Sequence, residues 1–160
     1  MHSDPQIVEL LNEQLTAELT AINQYFLHAK MQEHRGYIKL AAWTRHESID
    51  EMKHAERLTD RILMLEGLPN YQRLNALRIG QNLEEMFRAD LAVEMEAVER
   101  LRRGIPLMRT KGDVTSANIF ESILADEEEH VDYLETQLAL LTEIGEKLYI
   151  ARLLRQPNES

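Results

Sequence analysis

A glutamate and a Glu-x-x-His pair occur twice in this chain at one fixed offset. Glu94 lies 76 positions after Glu18, Glu127 lies 76 after Glu51, and His130 lies 76 after His54. Each lone glutamate precedes its Glu-x-x-His by 33 positions. On a helix the i, i+3 spacing puts both side chains of a pair on one face. Two pairs and two lone glutamates therefore offer four carboxylates and two imidazoles. These oxygen and nitrogen donors suit two metal ions held between four helices, with iron or manganese favoured over a thiophilic metal and zinc also accommodated.

The flanking residues echo each other at the same offset. Leu15-Thr-Ala-Glu18-Leu-Thr-Ala21 aligns with Leu91-Ala-Val-Glu94-Met-Glu-Ala97, and Asp50-Glu51 with Asp126-Glu127. This is an internal pseudo-repeat of two helix pairs. At 160 residues, with 44% hydrophobic residues, the chain is expected to form a single domain (1–160) with a substantial core. Only 6 Gly and 4 Pro are present, and the abundance of Leu, Glu, Ala, Arg and Met points to an all-α fold.

Helices are expected over about 4–34, 38–66, 82–110 and 115–144. Ser3 or Asp4 caps the first, Gly36 ends it, and Gly67, Pro69 and Asn70 stop the second. Gly104 and Pro106 predict a bend or early fraying of the third. A connection over 68–81 is long enough to cross a whole bundle. A short fifth helix is expected over about 146–154, followed by a disordered tail at 156–160. Apolar seams at 4-3 spacing run along the long helices: Leu11, Leu15, Ile22 and Tyr25 on the first, Phe87, Leu91, Val98 and Leu101 on the third. The six motif residues interrupt such seams at mid-helix. A carboxylate in a bundle core is costly unless it is neutralised or coordinated, so bound divalent cations resolve the pattern.

Composition limits the function. There is no cysteine, which removes disulfides, thiolate zinc sites and cysteine nucleophiles. The formal net charge of −10 argues against nucleic acid as a partner and is compatible with attracting cations. No signal peptide and no membrane span is expected, so a cytoplasmic location is the default.

The segments AELTAINQYFLHAKM, HESIDEMKHAERLTDRILMLEGLPN and ILADEEEHVDYLETQL resemble the bacterioferritins, haem-containing members of the ferritin-like di-iron family. The similarity spans nearly the whole chain. It implies an up-down four-helix bundle with a long crossover between the second and third helices and a short fifth C-terminal helix. It further implies iron storage and detoxification by a ferroxidase that oxidises Fe(II) to Fe(III) with O2 or H2O2 and stores ferric mineral in a hollow shell. Twenty-four subunits, built from two-fold dimers, form that shell in the family. By this resemblance Glu51 and Glu127 bridge two irons, Glu18 with His54 completes one site, and Glu94 with His130 completes the other. Met52, about 100° around the helix from Glu51, matches the methionine that ligates haem b at a subunit interface. Tyr25 matches a position that supplies an electron during oxygen reduction, and His46 with Asp50 a pair that holds extra iron on the inner surface. His34, Glu66, Asp132 and Thr136 are of types that line an entry channel. An electron-donor protein for iron release is an expected partner. Two other readings stand beside this one: a peroxide-detoxifying di-iron enzyme that uses the same residues, and a haem-binding electron-transfer assembly, distinguished by Met52, whose metal site is structural.

Overall fold

The computed structural model describes residues 4–154. It contains α1 (Pro5–His34), α2 (Ile38–Met64), α3 (Leu83–Thr110), α4 (Val114–Ile144) and α5 (Glu146–Ala151). The first four form a bundle in which α1 packs chiefly on α2 and α3 on α4, with α1 against α3 and α2 against α4 closing the core. Of the two caps the sequence offers for α1, Asp4 is the one in use, and Asn82 and Asp113 cap α3 and α4. Asp4 accepts from the Gln6 amide, Asn82 from Glu85 and Asp113 from Ser116, which satisfies N–H groups that have no partner inside the helix. Ser3, the alternative cap, and the 156–160 tail lie outside the described residues.

The crossover between α2 and α3 is held by one polar face of α1. Asn12, Thr16, Thr20, Gln24 and His28 recur every four residues and are all buried. Asn12 donates to the Leu68 carbonyl and accepts from the Asn70 amide. Thr16 accepts from the Arg73 side chain, Thr20 from the Asn75 amide, Gln24 from the Arg78 amide and His28 from the Gly80 amide. An extended segment without sheet partners thus finds acceptors for its backbone on a helix, as buried peptide groups require. It runs parallel to α1, which places α3 antiparallel to α1 and carries Glu94 to the level of Glu18.

Three expectations shift. α2 stops at Met64, and Glu66, not a glycine, takes the left-handed conformation (φ 63). Gly67 serves close packing instead, because a Cβ there would lie 2.8 Å from Val8. α3 does not fray at Gly104 or Pro106 but continues to Thr110. The proline removes one helical hydrogen bond at a cost of about 3 kcal/mol. Full burial of Leu101 and Met108 on either side offsets this at about 1.5–3 kcal/mol each. α5 ends at Ala151, not near 154, because the chain tightens into i, i+3 bonds at Arg152 and Leu153 while the Leu153 carbonyl accepts from Lys39 in α2.

Two apolar clusters fill the bundle. One gathers Leu11, Leu15, Leu58, Ile62, Leu101 and Phe120; the other gathers Leu40, Met86, Phe87, Leu134 and Tyr149. The six motif residues sit between them. Gly104 lets α3 approach α4 closely, since a Cβ there would fall 2.6 Å from the Phe120 ring. Gly104→Val is expected to destabilise the subunit by about 1–3 kcal/mol through overpacking. Chaotrope unfolding checks this, and an unchanged midpoint would contradict the close approach.

Candidate metal centre

Six side chains from four helices meet in the middle of the bundle. α1 contributes Glu18, α2 contributes Glu51 and His54, α3 contributes Glu94, and α4 contributes Glu127 and His130. All are buried, the four carboxylates almost completely. They form two overlapping sets, Glu18 with Glu51, His54 and Glu127, and Glu51 with Glu94, Glu127 and His130, and within each the ligand atoms lie within 4.8 Å of one another. Glu51 and Glu127 belong to both sets.

Each imidazole presents Nδ1 to this centre. His54 Nδ1 lies 3.1 Å from Glu127 and 3.6 Å from Glu18; His130 Nδ1 lies 3.2 Å from Glu51 and 3.4 Å from Glu94. The opposite nitrogens face other carboxylates. His54 Nε2 hydrogen-bonds Asp126 at 2.8 Å, and His130 Nε2 lies against Glu47. A partner on Nε2 orients the ring and leaves Nδ1 free for a metal. Glu18 Oε2, Glu51 Oε1, Glu94 Oε2, Glu127 Oε1 and His54 Nδ1 are buried with no hydrogen-bond partner. Uncompensated buried oxygens are expensive, so the arrangement fits cations. Two divalent ions would neutralise four carboxylates while both imidazoles stay neutral.

Protonation reflects the same crowding. Burial, then the Glu51 carboxylate, pushes Glu94 up to about 7. Burial also opposes ionisation of Glu51, yet the imidazoles of His130 and His54 beside it hold it below the usual carboxylate value. Burial lowers both histidines, but the surrounding carboxylates outweigh it and raise His54 to about 9 and His130 to about 12. Tyr25 donates its hydroxyl hydrogen bond to Glu94, and burial followed by that charge raises its pKa strongly.

A cavity of about 540 Å3 opens onto the His130 side. Its wall includes Trp43, His46, Asp50, Lys53, Glu129 and Tyr133, and it reaches Glu47, His54 and His130. His46 and Asp50 form the expected i, i+4 pair at 3.6 Å, and Trp43 stacks on Tyr133. Glu47, Asp50 and His130 make a further group able to hold an ion. Glu47 and Asp126 were not among the sequence-level ligands. The available signals were the place of Glu47 one turn before Glu51 in the α2 seam and the repeat pairing of Asp126 with Asp50.

Met52 stands away from the centre. It is 54% exposed at an apolar hollow of about 230 Å3 lined also by Leu19, Ile22, Ala55, Thr59 and Tyr71. His34, Glu66, Asp132 and Thr136 are all exposed. His34 and Glu66 lie at opposite ends of α2, about 40 Å apart, so one chain does not bring all four together.

The ferritin-like domain family matches residues 8–144. A bacterioferritin of Streptomyces coelicolor is 66% identical over 98% of this chain and 93% of its own length. The chain belongs to the bacterioferritins, within the ferritin-like family. Bacterioferritin BfrA of Mycobacterium tuberculosis is 61% identical over 98% of this chain and 99% of that protein. A solved structure of Mycobacterium tuberculosis BfrA superposes with a TM-score of 0.97, covering 98% of this chain and 99% of that one. The all-α bundle with a short fifth helix is thus the bacterioferritin fold. Among the described residues no helix is long and apolar enough to cross a membrane.

The protonation pattern sets a pH signature. His54 is raised above its unfolded value of 6.5, so its contribution to stability is fully present below about 6.5 and is lost as pH rises through about 9. Glu94, raised from 4.5 to about 7, acts in the same direction at lower pH. The metal-free protein is therefore expected to melt at progressively lower temperature from pH 6.5 to 9. Zn(II) should remove that decline because ligation replaces the protons. A flat metal-free profile would contradict it.

Proposed function

We propose that this buried centre binds two Fe(II) ions and oxidises them with O2 or H2O2, delivering Fe(III) to a mineral store inside a hollow shell. Iron storage with ferroxidase activity is the function of the family to which the chain belongs. The observation that carries the site assignment is the set of buried, hydrogen-bond-free oxygens and nitrogen that four helices aim at one volume.

Glu51 and Glu127, common to both ligand sets, would bridge the ions. Glu18 with His54, and Glu94 with His130, would complete the two positions. Two Fe(II) ions supply two electrons together. With O2 these electrons and two protons give H2O2; with H2O2 they and two protons give two waters. Holding both donors side by side makes the two-electron transfer a single encounter. His54 and His130 must release their protons for the ions to enter, so binding itself frees protons near the oxidant. Tyr25, whose hydroxyl donates to Glu94, would supply an electron only where H2O2 meets a single Fe(II): one electron from the iron and one from the tyrosine, with the phenol proton and one more proton, give two waters. The acidic cavity with His46, Asp50 and Glu47 would collect Fe(II) and pass it inward.

The residues around Met52 fit haem b, because an exposed thioether stands at an apolar hollow. Met52 would supply one thioether to the haem iron, and Met52 of a second copy of the chain would supply the other. The haem would serve electron entry for reduction and release of stored iron, from an electron-donor protein. This reading includes a homo-oligomer of twenty-four subunits built from two-fold dimers, and a cytoplasmic location.

Glu18→Ala should abolish fast ferrous oxidation while circular dichroism and assembly stay as in the parent protein. The loss should exceed the roughly 10- to 100-fold typical of outer-shell changes. Parent-like kinetics would overturn the site. Met52→Leu should remove haem absorbance and leave ferrous oxidation intact. Loss of oxidation with the haem would favour a haem-centred electron-transfer assembly instead.

A further inference from the structure

Glu18 and Glu94 are repeat mates, yet different groups stand behind them. Glu18 Oε1 accepts a 2.8 Å hydrogen bond from the side-chain amide of Gln14, and Gln14 Oε1 in turn accepts from Arg100 Nη1 at 3.4 Å. Glu94 Oε1 accepts instead from the Tyr25 hydroxyl. The repeat offset carries Gln14 onto Asp90 and Tyr25 onto Leu101. Asp90 is engaged by His28 and Gln24, and Leu101 is apolar core. Neither donor has a counterpart in the other half.

Gln14 is wholly buried, one helical turn before Glu18. The two ends of an amide are alike in shape, so its orientation follows from its partners. A guanidinium only donates. The Gln14 oxygen must therefore face Arg100, and its NH2 group is left to face Glu18. With Oε1 clamped, Glu18 Oε2 makes no hydrogen bond and lies 3.6 Å from His54 Nδ1.

We propose that Arg100 and Gln14 are positioning residues that fix the Glu18 carboxylate, so that the metal position at Glu18 and His54 is organised independently of the one at Glu94 and His130. This rests on the two-metal reading above. The pair acts through hydrogen bonds only: Arg100 selects the amide orientation, the amide holds one carboxylate oxygen, and the other oxygen is presented to the ion.

Anaerobic titration of the assembled, metal-free protein with Co(II), followed by visible absorption and calorimetry, tests it. Anomalous diffraction at the cobalt edge assigns each step to its position. The parent protein should take two Co(II) at the buried centre. Gln14→Leu keeps the volume and removes the donor. It should weaken the Glu18–His54 step by about 10- to 100-fold and leave the other unchanged. Arg100→Met, at a partly exposed position, frees the amide to turn and should weaken the same step. The double variant should bind no more weakly than Gln14→Leu, because both act through one amide. Equal weakening of both steps, additive losses, or parent-like binding in Gln14→Leu would overturn the relay. Fewer than two Co(II) at the parent centre would overturn the two-metal reading itself.

Discussion

Four carboxylates facing one another in the dry middle of a helix bundle are the constraint on which the rest of this structure turns. Without compensation their mutual repulsion and desolvation would work against packing. In the metal-free protein, protons provide part of the compensation, on His54, on His130 and in part on Glu94. Two divalent cations would provide it more completely. The apolar clusters above and below, anchored by Leu58 and Phe120 on one side and Phe87 and Tyr149 on the other, stabilise the fold enough to hold such a centre in place.

Getting the six motif residues to one level is the work of the crossover. Glu18 and Glu94 lie on different helix pairs, and their common height depends on how far the 65–82 segment travels along α1. The polar ladder from Asn12 to His28 measures that distance in helical turns. It also explains why an α1 helix carries so many buried polar side chains on a face where apolar residues would be expected.

Much of this was legible in the sequence because a repeat offset survives any error in helix boundaries. Glu18, Glu51, His54, Glu94, Glu127 and His130 share one register, and any antiparallel pairing that buries one lone glutamate buries its mate. The first helix's start at Ser3 or Asp4 and the third helix's start near residue 82 were legible as well. What was hidden depends on long-range approach. Gly104 looked like a helix breaker and is a contact point for Phe120. Glu47 has Ile123 as its repeat mate, so the symmetry that revealed the six motif residues concealed it. Gln14 lies outside the apolar seam of the first helix, and nothing local marks it until Arg100 is seen beside its amide. Local pattern reports the face a residue occupies, and tertiary geometry decides which atom of that residue is used.

An aerobic addition of Fe(II) to the metal-free protein, carried well beyond two irons per subunit, addresses the storage ferroxidase most directly. Oxidation rate and product solubility are followed together. Rapid oxidation with all iron kept soluble and protein-bound is the expected result. Oxidation no faster than in buffer would contradict a ferroxidase centre, and rapid oxidation that stops at about two irons per subunit would contradict a mineral store.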